Sequence, residues 1–409
     1  GKNRYLLFNP VLEQRERDNL AALRQIERAI DSQQLCLYYQ PIVDCRVGKV
    51  VGMEALLRWN HPLFGLMAPA EFLPLVEDDD KLTRKVGAWV LRQATRQAWL
   101  WHRDGLDIPV SVNAFVQQLR DPDFPEQIKT LLDQYPDLPA GRLTIEILES
   151  SALDDFASVI RLIRLGAELG VRFALDDFGT GFSSLTYLRR LPVDSLKIDQ
   201  SFVRDMLTDP ADLSIVEGVV GLSTAFRHQV VAEGVESADH VLMLMELGCH
   251  LVQGYGIAHP MSSAASLEWL KRFQPDPRWL ESATHRLSRD DFQLVLAEVS
   301  HRQWLTALHN WMPHAAEGAP PPLDERQCQF GRWYYGEGRE RYGMLPAYQA
   351  IESRHRRIHE LAGEVIRHVE QNDIAAGRQA EAELLAESEL FRDELTRLRG
   401  MMKYAVMSQ

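Results

Sequence analysis

Glu54, Asn113, Glu146, Asp176, Asp177, Lys197, Glu233 and Gln253 each stand within or near the end of a short apolar run. Gathered into one pocket, five carboxylates would repel one another and raise one another's pKa unless a cation sat among them. Carboxylates together with the amide oxygen of Asn113 make a hard-oxygen ligand set, which favours Mg²⁺ or Mn²⁺ over thiophilic metals. The adjacent pair Asp176-Asp177 would let one carboxylate bridge two ions, and a two-metal site suits in-line displacement at phosphorus. Lys197 would then orient the attacking water or meet charge developing on phosphate. Singly, each acid reads more readily as a helix cap or a surface charge. Only their convergence gives them a common chemistry.

A second set is softer. His355 and His359 in ESRHRRIHELAG are spaced i, i+4, which puts both imidazoles on one helix face. Cys328 in QCQFGRWYY and His301 in SHRQWLTAL fall on separate helical segments. Three imidazoles and a thiolate would form a closed tetrahedral set for one Zn²⁺. His309 and His314 lie near the first of these helices and are alternatives to its ligand.

The elements that must position these residues follow a regular order. LCLYYQPIV, KVVGMEALLRW, IPVSVNAF, LTIEILE, VRFALDDFG, SLKIDQ, QVVAEGV and LVQGYGI are strand-like runs separated by helix-length segments. Eight such units predict an α/β fold, a (β/α)₈ barrel of the TIM type, with the polar residues collected at the C-terminal strand ends. An open doubly wound sheet is the competitor, but no glycine fingerprint follows the first strand. Residues 1–31 read as a connecting helix or linker, 32–272 as the barrel, and 273–409 as an all-α four-helix bundle with helices near 287–311, 326–336, 346–371 and 375–405. QPDPRWLES, with two prolines, marks the junction.

The 409 residues carry 45 Lys and Arg against 58 Asp and Glu, a formal net charge of −13. That excludes a general nucleic-acid binder. No apolar stretch reaches membrane-helix length and the N-terminus has no apolar signal core, so a cytoplasmic location is expected. Four cysteines in so long a chain, Cys36, Cys45, Cys249 and Cys328, make no disulfide framework and should be reduced. A chain that begins with Gly and runs at once into a charged helix is expected to continue a longer protein.

EALLRW (54–59), DDFGTGFSSL (176–185), LKID (196–199), AEGVE (232–236) and QGYGIAHPM (253–261), preceded by YYQPIV (38–43), resemble the EAL-domain cyclic-di-GMP phosphodiesterases. The resemblance covers residues 34 to 272 with the motifs in order. It implies Mg²⁺- or Mn²⁺-dependent hydrolysis of cyclic-di-GMP to linear pGpG. It also implies two metal ions held by Glu54, Asn113, Glu146, Asp176 and Asp177, with Lys197 positioning the water and Glu233 as general base. Glu149 would anchor the DDFGTGFSSL loop, which in the family also lies at a dimer contact, so a homodimer is implied. Glu236 and Gln253 match further active-site positions, and Gln40 and Arg58 match substrate contacts. The chain departs from the family's usual residues at Leu148, Phe182, Ala114 and Phe115; Leu148 puts loop ordering in question. Gly179 and Gly181 read either as turn glycines or as parts of a gating loop. The opening GKNRYLLFNP resembles the end of a GGDEF domain, which would lie upstream.

HRQW, CQFGRWYY and HRRIH resemble the chemoreceptor zinc-binding domain, which carries the zinc ligands onto His301, Cys328, His355 and His359. A closed shell makes that zinc regulatory or structural rather than catalytic. Regulation is favoured, because a bundle of this size can bury a core without a metal. Oxidation of the Cys328 thiolate would release the ion. The rival readings are a cyclic-di-GMP receptor without turnover, carrying a structural zinc bundle, and an enolase-type Mg²⁺ barrel.

Overall fold

The computed structural model describes residues 10–181, 185–282, 289–315 and 318–406. The opening residues 1–9, Phe182 with the two serines after it, and the side chain of His314 lie outside the described residues. Two compact units divide the chain: residues up to 204 with 217–285, and 205–216 with 286–409. The first unit thus runs past the expected boundary at 272. It retains the helix Pro277–Ser282, whose Trp279 is buried.

The first unit contains all eight expected strands. They are β1 (Leu35–Asp44), β2 (Lys49–His61), β4 (Val110–Asn113), β5 (Leu143–Leu148), β6 (Arg172–Phe178), β7 (Ser195–Ile198), β8 (Gln229–Ala232) and β9 (Leu251–Val252), with short outliers β3 (Gly65–Met67) and β10 (Met261–Ser262). Parallel pairing runs β2-β4-β5-β6-β7-β8-β9, and β1 closes the ring against β2 and β9. β6 is buried at nearly every position, as a parallel strand covered on both faces must be.

One strand departs from the all-parallel expectation. β1 is antiparallel to both neighbours. Only residues 45–48 join it to β2, which suffices for a hairpin but not for the crossover that parallel strands need. Gly48, at φ +61°, turns that hairpin, and a Cβ there would come within 2.5 Å of Pro275. The reversal sets Gln40 directly opposite Glu54.

The register of β6 against β7 also matters. Leu175 pairs with Leu196 and Phe178 with Ile198, so three steps on β6 match two on β7. The extra residue falls at Asp176-Asp177, and Asp177 takes a left-handed φ of 53°. Bulges of this kind re-aim side chains.

The second unit is helical. Arg289–Trp311, Pro346–Glu370 and Ile374–Val406 are long helices, and the expected 326–336 helix is two short ones, Gln329–Tyr335 and Glu337–Tyr342, broken at Gly336. Pro346–Glu370 buries Ile351, His355, Ile358, His359, Ala362, Val365, Ile366 and Val369, the three- and four-residue spacing of an amphipathic helix. These pack with Leu294, Leu308, Phe330, Phe391 and Leu395. No helix among the described residues is long and apolar enough to cross a membrane.

Candidate functional site

Lys197 is the centre of the barrel site. Its ammonium is almost wholly buried and lies 2.8 Å from Glu146 Oε2, 2.5 Å from Glu233 Oε1, and 3.3 Å from both Glu54 Oε2 and Asp176 Oδ1. Three strands, β2, β5 and β6, and the loop after β8 therefore converge on one nitrogen carried by β7. Carboxylate oxygens of Asp176, Asp177 and Glu233 lie within 4.8 Å of one another. Fully ionised, the five carboxylates would exceed the one ammonium by four negative charges, which two divalent cations would neutralise.

The amides complete the arrangement. Asn113, paired with Glu146 across β4 and β5, donates from Nδ2 to Glu54 Oε1 at 2.9 Å. Gln253 Nε2 donates to Glu54 Oε2 at 2.6 Å and to Gln40 Oε1 at 3.1 Å, while Gln40 Nε2 donates to Ala258 O at 3.0 Å. Gln253 Oε1 is buried with no donor, and Asp176 Oδ1 has no hydrogen bond beyond its ion-pair contact. Such oxygens suit a hard cation. The residues present therefore fit Mg²⁺ or Mn²⁺.

Electrostatics follow the packing. Burial pushes Glu233 up to about 8, and the charges of Asp176 and Glu54 add to this against the pull of Lys197. Asp177 rises to about 6, through burial first and then the neighbouring Asp176 and Asp199. Burial and the surrounding acids, led by Glu54, hold Glu146 well above the usual carboxylate range. Glu54 lies low: burial opposes this, but Lys197 and the hydrogen bonds from Gln253 and Asn113 prevail. Lys197 is held protonated, because four carboxylates outweigh its burial.

The remaining expected positions are more peripheral. Glu149 Oε2 accepts the Gly179 amide at 2.9 Å, and a Cβ at Gly181 would come within 2.7 Å of Glu149 Oε1. Leu148, beside it, is 36% exposed. Arg58 is half-buried, donates to Leu57 O at 2.7 Å and lies 5.8 Å from the Tyr38 ring centroid. Burial lowers its pKa, opposed chiefly by the Tyr255 hydroxyl. Glu236 is exposed on the loop after β8. Asp199 went unassigned from sequence, although it belongs to the quoted LKID run. It accepts from the Ser201 amide at 2.9 Å and raises Asp177.

In the helical unit, Cys328 Sγ lies 3.3 Å from His355 Nε2, which lies 3.2 Å from His359 Nε2. The edges of a tetrahedral zinc site are about 3.3–3.5 Å for Zn–N and Zn–S bonds of ordinary length. Cys328 caps the helix Gln329–Tyr335 and receives the Gly331 amide at 3.1 Å. His301 stands beside this trio rather than within it, its ring centroid 6.0 Å from that of His355. Its Nε2 is nevertheless buried and has no partner. Burial, then neighbouring imidazoles, lower His301 to about 3 and His355 to about 2. Neutral imidazoles, a thiol and an orphaned nitrogen fit Zn²⁺. His309 is occupied elsewhere, with Nδ1 2.5 Å from Glu381 Oε1.

A closed α/β barrel whose mouth gathers hard-oxygen groups around a buried lysine defines the class of barrel proteins with a candidate cation site at the strand ends. The chain belongs to the EAL domain family, whose model matches residues 23–260. Residues 301–366 match the chemoreceptor zinc-binding domain. A cyclic di-GMP phosphodiesterase of Pseudomonas aeruginosa is 38% identical over 266 residues, 65% of this chain and 45% of that protein. The cyclic di-GMP phosphodiesterase PdeR of Escherichia coli is 34% identical over 273 residues, 67% of this chain and 41% of its own. The chain thus spans less than half the length of these relatives. Among solved structures, the PaMucR phosphodiesterase in complex with c-di-GMP aligns at 37% identity and a TM-score of 0.58, covering 60% of this chain and 99% of that one.

Proposed function

We propose that the barrel hydrolyses one phosphodiester bond of cyclic-di-GMP to give linear pGpG, and that zinc held by the helical unit regulates it. The observation that carries the reading is the convergence of Glu54, Glu146, Asp176 and Glu233 on Lys197, with Asp177 beside them. The relative and the solved complex named above support cyclic-di-GMP as substrate.

Glu54, Asn113, Glu146, Asp176 and Asp177 would hold two Mg²⁺ or Mn²⁺ ions. When bound, these ions supply Lewis acidity and a more acidic water. Glu233, poised near neutrality by burial, takes a proton from the attacking water. The water oxygen bonds to phosphorus as the bond to the ribose 3′ oxygen breaks, and that oxygen takes its proton from solvent water. Lys197 meets the charge developing on phosphate. Gln40, Arg58 and Gln253 contact the dinucleotide, and Glu149 and Glu236 support the surrounding loops.

His301, Cys328, His355 and His359 would hold the zinc, with Cys328 open to oxidative release of the ion. A homodimer through the 176–185 loop, an upstream GGDEF domain and a cytoplasmic location complete the proposal. A turnover assay of the purified protein in Mg²⁺, with zinc added or chelated, tests it. pGpG release that responds to zinc supports both parts. Binding of cyclic-di-GMP without pGpG would favour a receptor, and no binding at all would sink the assignment.

A further inference from the structure

The helical unit includes residues 205–216, which continue directly from the helix Gln200–Asp205 after β7. This turn is stiff. Thr208 N and Asp209 N both donate to Asp205 O, the Asp209 carboxylate accepts from the Ala211 amide, and Met206, Leu213 and Val216 are fully buried. One side chain of the long helix Arg289–Trp311 is bonded to it. Arg302 Nη1 donates to Leu207 O at 3.2 Å, while Nη2 lies 3.4 Å from Glu298 Oε1, and Nε is buried with no partner. The guanidinium is thus more than a surface charge.

Arg302 directly follows His301 on that helix. Successive side chains of a helix point about 100° apart, so neighbouring residues here face the zinc trio and the 205–216 turn respectively. His301 stands beside the trio, and bringing its orphaned Nε2 into a tetrahedral shell with Cys328, His355 and His359 requires the ring to turn or the helix to shift. At its start the turn is continuous with Arg204, whose carbonyl accepts from His240 Nε2 at 3.0 Å. His240 Nδ1 in turn accepts from Ser237 Oγ at 2.7 Å, at the end of the loop that carries Glu233. Coupling between two sites needs an element that both of them bias. The 205–216 turn meets that need, bonded to Arg302 and covalently joined to the residue that His240 holds. Resting on the reading that zinc at the helical unit regulates the barrel, we propose that Arg302 is a positioning residue. It passes the state of the zinc site, through the 205–216 turn and His240, to the loop that carries Glu233.

The test is hydrolysis of saturating cyclic-di-GMP in saturating Mg²⁺ by the full chain and its Arg302→Met and His240→Phe variants, each loaded with zinc or treated with a zinc-selective chelator. Methionine keeps the apolar stem of Arg302 without its donors, and phenylalanine keeps a flat ring without the nitrogens of His240. Wild-type turnover is expected to differ about 5- to 150-fold between the two zinc states, the usual size of coupling between sites. Both variants should still hold about one zinc per chain by mass spectrometry and yet respond to it by less than about twofold. Hydrogen exchange of residues 205–216 should depend on zinc in the wild type and not in Arg302→Met. Each variant decides alone, so a folding failure of one leaves the other as the test. A full zinc response from either variant with zinc bound would overturn the relay and leave zinc regulation standing. Wild-type turnover indifferent to zinc would overturn the regulatory reading and the relay with it.

Discussion

Gln253 Nε2 donates to Glu54 Oε2 across 2.6 Å, joining residues 199 apart in the chain. The bond ties the loop after β9 to β2 and keeps Glu54 ionised against its burial. A carboxylate held this way is ready to bind a cation. Gln253→Leu removes the donor and leaves Glu54 to Lys197 and Asn113. We expect metal affinity to fall about 10- to 100-fold, measured as the Mg²⁺ concentration giving half-maximal turnover. An unchanged metal dependence would contradict this role.

Glu54→Ala and Asp176→Ala each remove a carboxylate from the Lys197 cluster. Hydrolysis should fall by about 10³-fold or more, because charge stabilisation of the transition state is the largest single contribution to such catalysis. Circular dichroism should be unchanged, since deleting one acid from a pocket with surplus negative charge relieves repulsion. Substantial residual turnover would refute the two-metal assignment.

Cys328→Ala takes away the only sulfur donor of the bundle trio. Zinc measured by mass spectrometry should drop from about one per chain to a small fraction of that, with helicity retained, because the core around Phe330, Ile358 and Phe391 does not depend on the metal. Undiminished zinc would place the ion elsewhere.

Acid should weaken the zinc-free bundle in a defined direction. Folded His301 and His355 resist protonation down to about 3 and 2, whereas the unfolded chain takes up those protons near 6.5. Unfolding therefore gains protons as pH falls below 6.5, and stability present above that pH is lost progressively toward 3. The slope approaches about 1.4 kcal/mol per pH unit for each imidazole. In chelator-treated protein, hydrogen exchange along Pro346–Glu370 should accelerate between pH 6.5 and 5, after correction for intrinsic rates, and saturating zinc should suppress the effect. Exchange independent of pH would show that these imidazoles do not hold their neutral form through folding.

Much of this protein is legible in its sequence because the relevant signals are local. Apolar runs followed by a polar residue mark Asn113, Glu146, Asp176 and Lys197 at successive strand ends, since strands buried on both faces leave polar groups only where they emerge. The i, i+4 spacing of His355 and His359 likewise follows from helix geometry alone. Other features arise only from pairing across distance. The reversal of β1 places Gln40 opposite Glu54, and the extra residue on β6 sets Asp176 and Asp177 at a bulge. Asp199 affects Asp177 only because β7 lies beside β6. The tight contact of Gly254 and Gly256 with residues 235 and 236 presses the segment after β9 onto the loop after β8. Sequence thus determined which groups were available and on which elements they lie. Tertiary structure decided the single nitrogen they surround, because register, strand direction and backbone contact belong to pairs of segments rather than to either one.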